Sequence, residues 1–309
     1  MFFPQEFLNK MKLILGDSEL EKLTTAMDTH LRKSIRINTL RGSLELTKSS
    51  LEKQGFKLES MPWYENGFFI SNEDKTKRIG NTLEHYLGKI YVQETSSMLP
   101  VIALDPKPEE HILDMCAAPG SKTSQIAMHM QNKGLIVANE PLIQRIKPLQ
   151  ENLDRSGCIN VIVTRNDGRK FSNHKELFDK VLLDAPCSSE GTFQKDIQSR
   201  YAWSINKVKQ LSILQKQLFD SAYNALKKDG TLIYSTCTLS PEENEEIIDY
   251  ALNKYDLEIQ DLKFKGLNTS NGLTKYLDKE FNEKIKKSVR VWPQNTNIEG
   301  FFVTKLKKL

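Results

Sequence analysis

The chain has 309 residues, with 44 Lys and Arg against 40 Asp and Glu, and is 39% hydrophobic, 27% charged and 8% aromatic. That composition excludes a disordered tail, a fibre and a mini-protein, and a chain of this length buries roughly 75% of its unfolded surface, enough for one large core and a smaller accessory piece. The net charge of +4 is too small for a histone-like protein, although the last 35 residues carry nine Lys or Arg against four Asp or Glu. Such a basic end suits phosphate contacts and serves equally as a solvated surface.

Residues 6–15 and 18–27 have helical spacing, and residues 34–40 (SIRINTL) alternate as a strand with one buried face. A further helical pattern covers 44–54 and a short strand 67–70, so residues 1–90 read as a small α+β accessory domain. No apolar run approaches the roughly 18 residues of a membrane span; residues 98–104 are among the longest, at seven. The start, Phe2-Phe3-Pro4 and then Glu6, does not read as a signal peptide. Cys116, Cys158, Cys187 and Cys237 are too scattered for a C-x-x-C metal site and too few for a disulfide scaffold, which points to a reducing cytoplasm.

From residue 110 the period changes. Short apolar strands at 111–116, 135–139, 160–164, 179–184 and 231–236 alternate with helices from 121, to about 155, at 204–227 and from 241. This is the pattern of an α/β fold, a doubly wound, mostly parallel sheet with helices on both faces, and it makes 91–309 the catalytic domain. Ligands of such sheets bind at the carboxyl ends of the strands.

The first of these strands runs into Cys116, Ala117, Ala118, Pro119, Gly120, Ser121 and Lys122. Small residues there let a ligand approach the backbone, and the helix that follows offers free N–H groups. One glycine does not make G-x-G-x-x-G, nor is the P-loop pattern present, so nicotinamide dinucleotides and P-loop nucleotides are disfavoured. Glu140 closes the second strand, where an acid commonly bonds ribose hydroxyls. Asp167 closes the third and suits an adenine amino group. The fourth strand ends in Asp184 and Cys187, the fifth in Cys237. If these two strands are neighbours, two thiols and a carboxylate face one pocket. Residues 240–243 (SPEE) form the pattern of a capping box, and a thiol beside a helix N-terminus has a depressed pKa and acts as a nucleophile. The alternative for both cysteines is burial as small hydrophobes. Cys116 and Cys158 have no acid or base beside them that suggests chemistry, and zinc is disfavoured by the spacing.

Taken together, these motifs resemble the Sun-type RNA cytosine-5 methyltransferases, and most of all the RsmF branch that modifies 16S ribosomal RNA. The likeness runs through residues 34–40, 91–100 (YVQETSSMLP), 116–122, 184–187 (DAPC), 235–239 (STCTL) and 300–303 (GFFV). It implies an S-adenosylmethionine-dependent methyltransferase fold and an RNA substrate, 16S rRNA or the small ribosomal subunit first and tRNA second, with the enzyme acting as a monomer away from membranes. It further implies that Cys237 adds to cytosine C6, that Asp184 bonds the base edge while bordering the cofactor, and that Cys187 assists release. The cofactor would lie over residues 116–122, with Glu140 on its ribose and Asp167 on its adenine. Lys122 belongs to that loop or is a solvated first-turn lysine. Arg36, Asn38, Arg145 and Arg290 also match family positions, as RNA contacts or as partners of carboxylates. Family members often have Gly where this chain has Ser189, a less permissive residue for a turn.

Overall fold

The computed structural model describes residues 2–74 and 76–309. Two helices come first, α1 (Gln5–Leu15) and α2 (Asp17–Asp28), followed by β1 (Lys33–Ile37), α3 (Leu44–Lys53), β2 (Phe56–Met61), β3 (Tyr64–Asn72) and β4 (Ile90–Val92). The four strands make a sheet in the order β2-β3-β1-β4, antiparallel throughout the pairs β2/β3, β1/β3 and β1/β4. Ser43 starts α3 by accepting the Leu46 N–H on its side chain. Ile35 and Ile37 of β1 then pack with Leu51 of α3, Phe56, Phe68 and Ile90 in a core of their own.

The alternation in β1 suggested one face to solvent, yet Ser34, Ile35, Arg36 and Ile37 are all buried. The polar face lies against the rest of the protein: Arg36 Nε donates to Gln93 Oε1 at 2.9 Å and Nη2 to Ser124 Oγ at 2.8 Å. α1 and α2 pack elsewhere. Their Phe7, Met11, Leu23 and Met27 meet Phe193, Trp203, Val208, Leu239 and Trp292, and the buried Lys10 donates to Ser240 Oγ at 2.7 Å.

Beyond the helix Thr95–Leu104, the strands β5 (His111–Asp114), β6 (Leu135–Asn139), β7 (Val161–Thr164), β8 (Phe178–Asp184) and β9 (Leu226–Thr236) form a parallel block, ordered β7-β6-β5-β8-β9. This is the doubly wound sheet that the sequence pattern implies. Its strands are apolar on both faces because both are covered. Leu113, Val181, Leu183, Leu232 and Tyr234 face the helices Ile205–Ala225 and Glu245–Lys254. Their neighbours Ile112, Leu182 and Ile233 face the helices Thr95–Leu104 and Ser121–His129. Four strands unanticipated in the sequence extend the sheet, all antiparallel: Phe301–Lys308 pairs with β9, Val289–Val291 and Leu257–Gln260 pair with Phe301–Lys308, and Ser270–Asn271 pairs with Val289–Val291. Among the described residues, no helix is long and apolar enough to cross a membrane.

Candidate active site

Every acid and thiol singled out at a strand end, from Glu140 to Cys237, falls at the carboxyl edge of the parallel block. β5 gives way there to the loop 115–120 and the helix Ser121–His129. Gly120 occupies the N-cap of that helix with φ +98°, a left-handed conformation that favours glycine, and a Cβ there would stand 3.0 Å from the Leu149 side chain. Ala117 N–H donates to Asn139 O at 2.9 Å, tying the loop to the end of β6. Asp114, fully buried, accepts the Thr123 hydroxyl on Oδ2 at 2.7 Å, while its Oδ1 has no hydrogen-bond partner among the described residues. Burial raises its pKa to about 6. The Cys116 thiol is pushed well above its ordinary range, chiefly by burial, which leaves it unsuited to nucleophilic work.

Glu140 is buried at the end of β6, where Oε1 accepts the Leu142 N–H at 2.9 Å and Oε2 pairs with Arg145 at 3.0 Å. Arg145 also donates to Ala118 O at 2.8 Å, bracing the loop. Asp167 takes hydrogen bonds from the Arg169 N–H and guanidinium, and that pairing holds its carboxyl below the usual range.

β8 and β9 are neighbours, with Asp184 in register with Ser235. Ser235 Oγ donates to Asp184 Oδ1 at 2.7 Å, and Lys122 Nζ lies 2.8 Å from Asp184 Oδ2 and 2.8 Å from Ser97 Oγ. Lys122 is thus no solvated lysine; its side chain is 12% exposed and holds a positive charge beside the acid. Cys187 and Cys237 meet with their sulfurs 3.2 Å apart. Either sulfur can donate across this contact; the pairing, with Ser189 and Lys122 adding to it, lowers the pKa of Cys237, and with burial it raises that of Cys187. Ser189 adopts φ +62°, so the turn is left-handed despite its side chain, and its hydroxyl lies 3.7 Å from the Cys237 sulfur.

The capping box does not form. Residues Pro241–Glu243 make one 3₁₀ turn and the helix begins at Glu245. Ser240 instead donates to Glu190 at 2.5 Å, and the Glu243 side chain turns back to Ser188. A buried acceptor, Glu190, claims the Ser240 side chain and a buried donor, Ser188, that of Glu243, and the thiol of Cys237 owes its depressed pKa to its neighbours rather than to a capped helix.

A cavity of about 320 Å³ is lined by Cys116, Ala117, Ala118, Pro119, Ser121, Lys122 and Asp184 on one side and by Tyr91, Val92, Gln93, Glu94 and Ser97 on the other. The second wall was missed as a set of site residues; its only signal was the motif at 91–100. Glu140, Asp167, Gly120 and the two sulfurs fall outside this lining. A larger cavity of about 620 Å³ between 261–271 and 286–289 contains none of the candidate residues. Of the four ambiguous family positions, Arg36 and Asn38 are buried in links between the accessory sheet and the catalytic domain, with Asn38 Nδ2 bonding Gly88 O and Ser156 O. Arg290 is buried in a pair with Glu245, its Nε 2.6 Å from Oε1, and donates to Leu239 O at 2.9 Å. All three are occupied within the fold.

A family model described as 16S rRNA methyltransferase RsmB/F matches residues 101–307, and one for the N-terminal domain of 16S rRNA methyltransferase RsmF matches residues 3–95. The chain is 43% identical to a tRNA (cytosine(49)-C(5))-methyltransferase of Pyrococcus abyssi, covering 100% of this chain and 99% of that protein. It is 40% identical to ribosomal RNA small subunit methyltransferase F of Vibrio campbellii, covering 100% of this chain but 64% of that longer protein. A solved methyltransferase homolog protein from Pyrococcus horikoshii superposes with a TM-score of 0.89 at 36% identity, over 99% of this chain and 96% of the other.

Proposed function

The chain belongs to the family of 16S rRNA methyltransferases RsmB/F, and we propose that it methylates C5 of a cytosine in RNA through a covalent Cys237–C6 adduct, acting as a cytoplasmic monomer. The observation that carries this reading is the meeting of two thiols, 3.2 Å apart, at strand ends beside an acid paired to Lys122 at 2.8 Å.

The residues fit S-adenosylmethionine. A buried acid at the end of β6 suits a ribose diol, the open loop 116–122 with its left-handed Gly120 admits a ligand close to the backbone, and the helix behind it presents free N–H groups. When bound, this cofactor supplies an electrophilic methyl group. Residues 116–122 and Asp184 would line it, Glu140 would hold the ribose and Asp167, already paired to Arg169, would contact the adenine.

Cytosine C5 is a poor nucleophile, and the Cys237 thiolate makes it enamine-like by adding to C6. Asp184, fixed by Ser235 and Lys122, bonds the N3/N4 edge of the base and orients it, and the Lys122 charge beside it offsets the negative charge of the adduct. After methylation the C5–H bond breaks and its electron pair re-forms the C5=C6 bond. The C6–S pair returns to Cys237. The proton passes to the Cys187 sulfur as that thiol's own proton leaves to water. The target base must leave its stack to reach thiols half-buried at the strand ends, so a single-stranded or distorted site is expected.

For the RNA, 16S rRNA is the first reading, supported by both family models. A tRNA is the second, supported by the similarity over nearly the full length of the Pyrococcus abyssi enzyme. The test is transfer of labelled methyl from S-adenosylmethionine to unmodified 16S rRNA, tRNA and DNA in parallel, with bisulfite mapping. Label as 5-methylcytosine at one site of one RNA is expected. Label on DNA alone, or cofactor binding without transfer to any of them, contradicts the proposal, the latter favouring an RNA-binding assembly factor.

A further inference from the structure

Two buried carboxylates behind the cysteine pair have no part in the chemistry above. Glu243, which follows Cys237 by six residues, reaches across to the first cysteine loop: Oε2 accepts the Ser188 N–H at 3.0 Å and Oε1 the Ser188 hydroxyl at 2.5 Å. Gln215 Nε2 donates both to Glu243 Oε2 and to Pro186 O, each at 2.8 Å. Cys187 is thus clamped through the residues on either side of it. Glu190 makes the reverse connection from the first loop to the second, accepting the Leu239 N–H at 3.0 Å, the Ser240 hydroxyl at 2.5 Å and the Trp203 indole N–H at 2.8 Å. Ser188 and Thr238, each directly after a cysteine, join their hydroxyls at 2.7 Å. Ser188, Glu190, Gln215, Thr238, Ser240 and Glu243 are each at most 1% exposed.

Each cysteine loop therefore supplies an acid that grips the other loop. Burying two carboxylates is costly, and apolar side chains would fill the same space more stably. What the acids add is direction, since an acceptor with several donors fixes both loops in one register. We propose that Glu190 and Glu243 are positioning residues that set the approach of the two thiols, and that Glu243, acting through Ser188, governs the release step at Cys187. This rests on the reading of Cys187 as the release residue. Attack by Cys237 is less dependent on Glu243, because the Cys237 carbonyl is held separately by the Gly191 N–H at 2.9 Å.

The experiment compares wild type, Cys187→Ala, Ser188→Ala and Glu243→Gln on unmodified 16S rRNA and tRNA transcripts, following first-turnover methyl transfer, steady-state turnover and covalent enzyme–RNA adduct on denaturing gels. Ser188→Ala removes one hydroxyl and keeps the test usable should Glu243→Gln fold poorly. A displacement near 1 Å lowers a step by about 100-fold, so release in Ser188→Ala and Glu243→Gln is expected to fall about 10- to 100-fold. Adduct should accumulate while first-turnover transfer and the KM for S-adenosylmethionine are kept. Loss of first-turnover transfer and release together, or normal release, in variants that melt cooperatively overturns the proposal when Cys187→Ala still traps adduct. If Cys187→Ala itself traps none, it is the reading of the cysteine roles that fails.

Discussion

Replacement of Gly191 by alanine probes how closely the loop around Cys237 is fitted. The backbones at Gly191 and Gly300 touch: Gly300 N–H donates to Gly191 O at 3.0 Å, and Gly191 N–H donates to Cys237 O at 2.9 Å. A Cβ on residue 191 would lie 2.0 Å from Gly300 O and 2.5 Å from its carbonyl carbon, where ordinary contact begins at 3.4 Å. The obstacle is backbone on both sides, so no rotamer change relieves it, and the two segments must part by more than an ångström. That movement draws on the bond that holds the Cys237 carbonyl. Overpacking of this kind costs about 1–3 kcal/mol of stability, and displacement of a reacting group by about 1 Å lowers turnover about 100-fold. Urea unfolding measures the first and steady-state methyl transfer the second, with the KM for S-adenosylmethionine as an internal control because the loop 116–122 proposed to hold it lies on another strand end. A folded Gly191→Ala protein with wild-type kcat would refute the view that this contact positions the thiol.

Arg290→Met should destabilise the protein by about 3–5 kcal/mol in urea unfolding, since it strands the fully buried Glu245 carboxylate, and Arg290→Met/Glu245→Met should recover much of that loss. A single variant as stable as wild type would contradict a structural role for the pair. The Glu243 carboxyl has its pKa raised to about 7, first by burial and then by Glu190, against an ordinary value of 4.5. Its protonated form is favoured by folding, so its stabilising contribution is complete below pH 4.5 and is lost as pH rises through 7. The stability of wild type relative to Glu243→Gln should accordingly fall by roughly 3 kcal/mol across that window. A difference that does not change with pH would count against the shift.

Much of the catalytic domain was legible because its signals are local. Apolar strands such as Val181, Leu182 and Leu183 bury both faces under helices, so their hydrophobic runs mark β8 directly, and Asp184 at its end locates the pocket edge. Arg36 was ambiguous for the opposite reason: a polar residue alternating with Ile35 and Ile37 reads as solvent-facing until a second domain is laid over it. The Ser240 to Glu243 pattern misled because a local capping motif lost to buried partners some fifty residues away in sequence, Glu190 for Ser240 and Ser188 for Glu243. The last strand, Phe301–Lys308, escaped notice because it enters the sheet antiparallel after the βα alternation has ended. Likewise, the motif at 91–100 marks these residues as family positions without placing 91–97 as the cavity wall opposite Asp184.

The division of labour between the two thiols is tested most directly by incubating Cys237→Ala and Cys187→Ala with S-adenosylmethionine and unmodified RNA and resolving the products on a denaturing gel. Cys187→Ala should give a stable protein–RNA band carrying the transferred methyl group, and Cys237→Ala should give neither band nor transfer. A covalent band from Cys237→Ala, with none from Cys187→Ala, would reverse the assignment of nucleophile and release residue.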